Sequence, residues 1–176
     1  HGKVLEVGAF HLPARLPADC SVVYADVGSR EQLLRNYPEL PPECLAQVDV
    51  VVDLDKTGLA CFADGAFDFV VINRVVAHVA NPIRAVEEAF RVVRPGGLVV
   101  ISSHDKIYSF DKKRNPSSFE HLLDEYRQGV DSVADDHYEA FLRAVHPRVF
   151  YRGDDEVEEA MKSVRKRRDV AHAWDS

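Results

Sequence analysis

Four polar residues stand where short apolar runs stop: Glu6 in KVLEVG, Asp26 in SVVYAD, Asp53 in VDVVVD and Asn73 in FDFVVIN. Carboxylates and amides accept hydrogen bonds from hydroxyls and amines, and carboxylates attract positive charge. A row of them suits a ligand that carries such groups. Asp26, twenty positions after Glu6, is of the type that accepts both hydroxyls of a ribose. Asp53, followed by Leu54 and Asp55, offers a dipole to an adenine amino group. Gly8 lets a ligand approach the backbone closely, so Gly8→Val is expected to abolish binding with little unfolding. The dinucleotide pattern GxGxxG is missing, because Phe10 and Pro13 interrupt it. His11 and Arg15 in the same loop suit a phosphate, but no helix start follows to add its amides. A nicotinamide-dependent oxidoreductase is therefore disfavoured.

These residues need elements that bring them to one rim. Five runs rich in Val and Ile (Lys3–Gly8, Ser21–Asp26, Val48–Asp53, Phe67–Asn73 and Gly97–Ser103) read as buried parallel strands. Ligands of open α/β sheets bind beyond the carboxyl ends of such strands. Ser29 is the expected N-cap of a short helix reaching Tyr37. Asn81-Pro82 opens a helix whose apolar face is read as Ile83, Val86, Ala89, Phe90 and Val93, and Pro95-Gly96-Gly97 ends it. After Ser103 the pattern turns helical: SFEHLLDEYRQG, then DDHYEAFLRAVH capped by Asp135 or Asp136, then a charged helix. Arg148–Tyr151 is a weak strand candidate. The fold expected is α/β, a Rossmann-like, doubly wound, mostly parallel sheet with a helical C-terminal extension and no closing hairpin. Residues 1–103 form the core and 104–176 the extension of the same domain.

The chain has 176 residues, 46% hydrophobic and 29% charged, with a net charge of −7. That composition fits one soluble domain and argues against nucleic acid, whose phosphates need Lys and Arg. The basic cluster Lys162–Arg168 follows the acidic Asp154–Glu159, an order that complements a helix dipole. Cys20, Cys44 and Cys61 are odd in number and widely spaced, so neither a disulfide framework nor a zinc ribbon is indicated. The cytoplasm is the expected location. No apolar run is long enough for a membrane span. His104, His121, His137, His146 and His172 lack the HxH or HxxxH spacing of a local ligand set, so no metal is expected.

The run LEVGA, the acid of YAD, and above all DGAFDFVVINRVVAHVANP followed by RVVRPGG resemble a class I S-adenosylmethionine-dependent methyltransferase of the type 11-like group. The resemblance spans roughly Gly2 to Ser103. It implies S-adenosyl-L-methionine as cofactor and S-adenosyl-L-homocysteine as product. By the same resemblance Glu6 binds the methionine amino group, Gly8 and Ala9 line the methionine portion, and Asp26 with Val27 meets the ribose. Asp53 and Leu54 flank the adenine, and Asn73 contributes backbone near the amine. The chain departs from the pattern in having one glycine after the first strand. Ala77 stands where an acid often precedes His78, and no hairpin is evident after Arg152, through HAWDS. A truncated C-terminus is one expectation from this; helices in place of the missing strands are the other.

Methyl transfer is an in-line displacement in which the protein aligns the acceptor and excludes water. An oxygen acceptor also loses a proton, for which His is the usual base near neutrality. His104 or His137 is the expected base. His78, Asp105, Tyr108, Arg114, His121 and Tyr138 are the expected substrate residues. The aromatic set Phe110, Phe119, Tyr126, Tyr138 and Phe141 is read as core or as a lid. The acceptor expected is a small metabolite or sugar-like molecule. The alternative is a non-catalytic module that keeps the fold for binding or assembly. A sheet lacking its last strands leaves an open edge, so pairing into a homodimer is expected.

Overall fold

The computed structural model describes residues 2–173, except the side chain of Asp111. The backbone forms two compact units: residues 1–76 with 83–102, and residues 77–82 with 103–176. Trp174 to Ser176, the end of the stretch read for a closing hairpin, lie outside the described residues.

The first unit is built on β1 (Lys3–Val7), β2 (Ser21–Asp26), β3 (Val50–Val51), β4 (Phe67–Asn73) and β5 (Val93–Ser102). They form a sheet in the order β3-β2-β1-β4-β5, parallel at every pairing. The order reverses between β1 and β4, the switch point where such sheets bind ligands. Val4, Leu5, Val70 and Ile72 on these two strands are wholly buried, as expected of strands covered on both faces.

The structure corrects two strand boundaries. β3 is shorter than the run Val48–Asp53. The Asp53 side chain accepts the N–H groups of Asp55 and Lys56, and its carbonyl accepts those of Thr57 and Gly58. These bonds turn the chain out of the sheet. β5 begins at Val93 instead of Gly97. Phe67 pairs with Val93 and Phe69 with Leu98, so a bulge absorbs Arg94–Gly97. A Cβ at Gly97 would meet the Asp68 carbonyl at 2.5 Å, so this close approach requires glycine.

Helix α1 (Arg30–Asn36) starts at Ser29, whose hydroxyl and Gln32 form a reciprocal capping box. Helix α2 (Pro82–Val92) is rotated from the expected face. Ala85, Ala89 and Val92 are buried, while Phe90 is 62% exposed. Polar anchors set this rotation. Glu88 accepts the Leu59 N–H at 2.8 Å. Arg91 donates to the carbonyls of Leu59 and Phe62 and pairs with Glu88 and Asp64. A periodicity of apolar residues cannot foresee such anchors.

The second unit holds α3 (Phe119–Gln128), α4 (Asp135–Val145) and α5 (Asp154–Arg167). Ser118 caps α3 by accepting the His121 N–H, and Gly129 closes it in the left-handed region. The cap of α4 is Ala134 rather than Asp135 or Asp136. Asp135 instead takes a two-point pair with Arg165 of α5, at 2.9 and 3.0 Å. α5 carries its acids in the first turn and its bases in the last. The segment Pro147–Tyr151 is a 3-10 turn and not a strand, consistent with proline at its first position. Ala77, Tyr138, Phe141, Leu142, Met161, Val164 and Val170 form this unit's core. Among the described residues no strand follows β5, and no helix is long and apolar enough to cross a membrane.

Candidate functional site

In the first unit, parallel pairing carries Glu6, Asp26, Asp53 and Asn73 to the same carboxyl rim of the sheet. Glu6, near the end of β1, is wholly buried. Its Oε1 accepts the Ala14 N–H at 2.8 Å. Its Oε2 is buried and has no hydrogen bond among the described residues. Burial raises the Glu6 pKa, and the Ala14 bond opposes this. A buried carboxylate oxygen without a donor is costly unless a ligand supplies one. An ammonium or hydroxyl would do so.

Gly8 leaves β1 with φ +75°, and a Cβ there would lie 2.1 Å from Val75 Cγ2. This corrects the expectation for Gly8→Val, because the substitution would strain the fold before it reached any ligand. Ala9 is buried. No helix forms between β1 and β2. The connecting loop turns back at Ala9–Leu12, and Leu12 O faces Asn73 Nδ2 at 3.5 Å. Asn73 Oδ1 also accepts the Ser102 hydroxyl, tying β4 to β5 at the rim.

Asp26 ends β2 and is nearly buried. Its Oδ1 accepts the Val27 N–H at 2.8 Å. Burial outweighs that bond and pushes its pKa up to about 6. Val27 itself is exposed. Asp53 closes its own turn, as above, and Leu54 beside it is buried. The rim thus pairs two desolvated acids with a glycine turn. These features fit a ligand with an amine and vicinal hydroxyls, as S-adenosyl-L-methionine has.

The remaining candidates lie in the second unit. His78 Nδ1 is 2.7 Å from the Arg168 carbonyl. Asp105 caps a 3-10 turn by accepting the Ile107 N–H. Tyr108 is 89% exposed, whereas Tyr138 is buried in the helical core. Phe141 belongs to that core too, while Phe110 and Phe119 are exposed. Arg114 donates to the carbonyls of Val170 and Ala171, a bond pair that holds the C-terminal segment. His104 stacks obliquely on Phe110 at 5.6 Å.

His121 and His137 come together around Glu125, which was not among the expected site residues. Its Oε1 lies 3.3 Å from His121 Nε2 and 3.0 Å from His137 Nε2. The bond to Glu125 raises the His137 pKa, and burial opposes it. His172 adds its Nε2 at 3.6 Å from Glu125 Oε2. Burial lowers the His172 pKa to about 4. The only sequence signal for this cluster was the four-residue step from His121 to Glu125, which puts both on one helix face.

The methyltransferase domain family matches residues 11–101 of the chain. An uncharacterised methyltransferase of Mycolicibacterium gilvum is 54% identical over 41 residues, covering 23% of this chain and 16% of that protein. The chain therefore spans less than a fifth of that relative's length. A structure named as a methyltransferase from Bacillus halodurans C-125 is 21% identical, with a TM-score of 0.47, covering 90% of this chain and 62% of that one. A Rhodobacter sphaeroides structure named for zinc-dependent alcohol dehydrogenases is 16% identical, with a TM-score of 0.53 and coverages of 99% and 68%; that likeness is one of fold. With more than half its residues matched by the profile and its strands in the order β3-β2-β1-β4-β5, this chain belongs to the methyltransferase domain family, with the class I S-adenosylmethionine-dependent fold.

Proposed function

We propose that the chain binds S-adenosyl-L-methionine at the carboxyl rim of β1, β2 and β4 and transfers its methyl group to an oxygen of a small metabolite or sugar-like acceptor. The observation that carries this reading is Glu6 Oε2, a buried carboxylate oxygen without a hydrogen bond among the described residues, at the carboxyl rim beside the switch point of the sheet, where open α/β sheets bind their ligands. Glu6 would hold the cofactor's amino group and Asp26 its ribose hydroxyls, with Val27 alongside. Gly8 and Ala9 would border the methionine portion, Leu54 the adenine, and the Asn73 backbone the amine. Asp53 would serve the adenine chiefly by shaping the turn. The cofactor supplies a carbon already activated by a sulfonium; the protein orients it and the acceptor and excludes water.

Of the two histidines expected as base, this reading keeps His104, two residues beyond β5. His137 has Glu125 on one ring nitrogen and the Ala171 carbonyl on the other at 3.2 Å, which favours its protonated form. Among the expected substrate residues, exposed Tyr108 remains the candidate for acceptor contact. His78, Asp105, Arg114 and Tyr138 have the structural contacts described above.

Calorimetric titration with S-adenosyl-L-homocysteine tests the proposal. Micromolar binding that is lost in Asp26→Ala supports it. No binding by the intact chain overturns it and favours the binding or assembly module, a reading that the Ala14 bond to Glu6 also suits.

A further inference from the structure

We propose that His121, His137, His172 and Glu125 form a binding site for a zinc-class divalent cation, which staples α3, α4 and the segment around residues 169–173. One nitrogen from each of the three imidazoles lies within 4.8 Å of the others. The donors come from three places: His121 and Glu125 from α3, His137 from α4 and His172 from beyond α5.

Two further observations separate this cluster from a chance meeting of side chains. The first is orientation. All three Nε2 atoms face the Glu125 carboxylate, at 3.3, 3.0 and 3.6 Å. The opposite ring nitrogens of two of them are engaged outward. His137 Nδ1 faces the Ala171 carbonyl, and His172 Nδ1 faces Ser117 Oγ at 3.3 Å. With Nδ1–H held by the Ala171 carbonyl behind the His137 ring, and the Ser117 hydroxyl able to accept from His172 in the same way, Nε2 can exchange its inward proton for a metal ion, the usual support for a metal-bound imidazole. Arg114 holds the Ala171 carbonyl in place, and the Ala173 N–H donates to Ser117 Oγ. The supporting groups are therefore themselves supported.

The second observation is incomplete satisfaction. Glu125 Oε2 is buried and makes no hydrogen bond among the described residues. A half-satisfied buried network is costly. A divalent cation among the three nitrogens would use that oxygen as a fourth ligand. Three imidazoles and a carboxylate, with no thiolate, match the four-coordinate preference of zinc. All four positions are then filled by protein, which is the character of a structural site. His121, the most exposed of the three, faces the route from solvent.

Zinc chloride titrated into the tag-free, chelator-stripped chain tests this, with bound metal measured by mass spectrometry and unfolding followed by circular dichroism. The expected result is one zinc per chain and a higher Tm. Glu125→Gln and His121→Ala should each weaken binding at least tenfold, while His146→Ala leaves it unchanged. His121 is partly exposed, so His121→Ala should fold as the parent does. Cobalt should give the strong visible absorption of a four-coordinate ion, lost in His121→Ala. Zinc uptake that is absent, or unaffected by both Glu125→Gln and His121→Ala, would overturn the proposal and leave a protonated His137–Glu125 pair as the cluster's whole content.

Discussion

At the end of β2, Asp26 is nearly withdrawn from water with one backbone N–H against its carboxylate. Its pKa rises from 3.8 to about 6. Between those two values the folded chain keeps a proton that the unfolded chain has released. Stability therefore falls as pH rises through this window, and above it a deficit of roughly 3 kcal/mol persists. Asp26→Asn removes the charge and keeps an oxygen for the Val27 N–H. It should raise Tm by several degrees at pH 8 and by little at pH 4. The same variant should bind S-adenosyl-L-homocysteine at least tenfold more weakly, because one of two ribose acceptors becomes a donor. Thermal melts at both pH values with parallel calorimetry check this; an unchanged Tm at pH 8 would refute the burial cost. A residue that weakens the fold where it stands is a mark of a functional site. Its type and strand-end position were readable in the sequence. Its desolvation was not, because that depends on neighbours distant along the chain.

At the scale of elements, two junctions set the positions of the site residues. Arg91 ties α2 to the carbonyls of Leu59 and Phe62 and to Asp64 and Glu88. Arg91→Ala should cost about 2–4 kcal/mol, since it strips donors from these acceptors and leaves Glu88 without its cation. Denaturant unfolding measures the loss; a cost below about 0.5 kcal/mol would show the lock to be unimportant. The turn after β1 is the second junction. Gly8→Ala should destabilise by about 2 kcal/mol through its positive φ and its collision with Val75. Gly8→Ala combined with Val75→Ala should relieve the collision and leave the backbone strain, so the double variant should lose less stability than the sum of the two single losses. The sequence marked this turn by its glycine and the helix by its period. Neither indicates which way a helix rotates or which side chain lies over a turn.

Across the whole molecule, the described sheet ends at β5 on one side. Phe69 pairs with Leu98, and Val100 follows two residues later, so the three share one face. All three are exposed. An unpaired strand edge beside exposed apolar side chains favours association. Pairing with a second copy through this edge is the expected outcome. Light scattering should then show a mass that rises with concentration. Leu98→Lys with Val100→Lys should shift it toward the monomer without loss of S-adenosyl-L-homocysteine binding. A monomer at every concentration would remove the idea.

The sequence by itself determined the parallel strands, their turns and the acids at their ends. Those follow from alternation, β-branching and turn chemistry within a few neighbouring residues. It also carried the family's marks between LEVGA and RPGG. Only the tertiary structure decided the orphaned oxygen of Glu6, the raised pKa of Asp26, the rotation of α2, and the meeting of His121, His137 and His172 at Glu125. Burial and convergence are properties of groups brought close by folding, and spacing along the chain does not encode them.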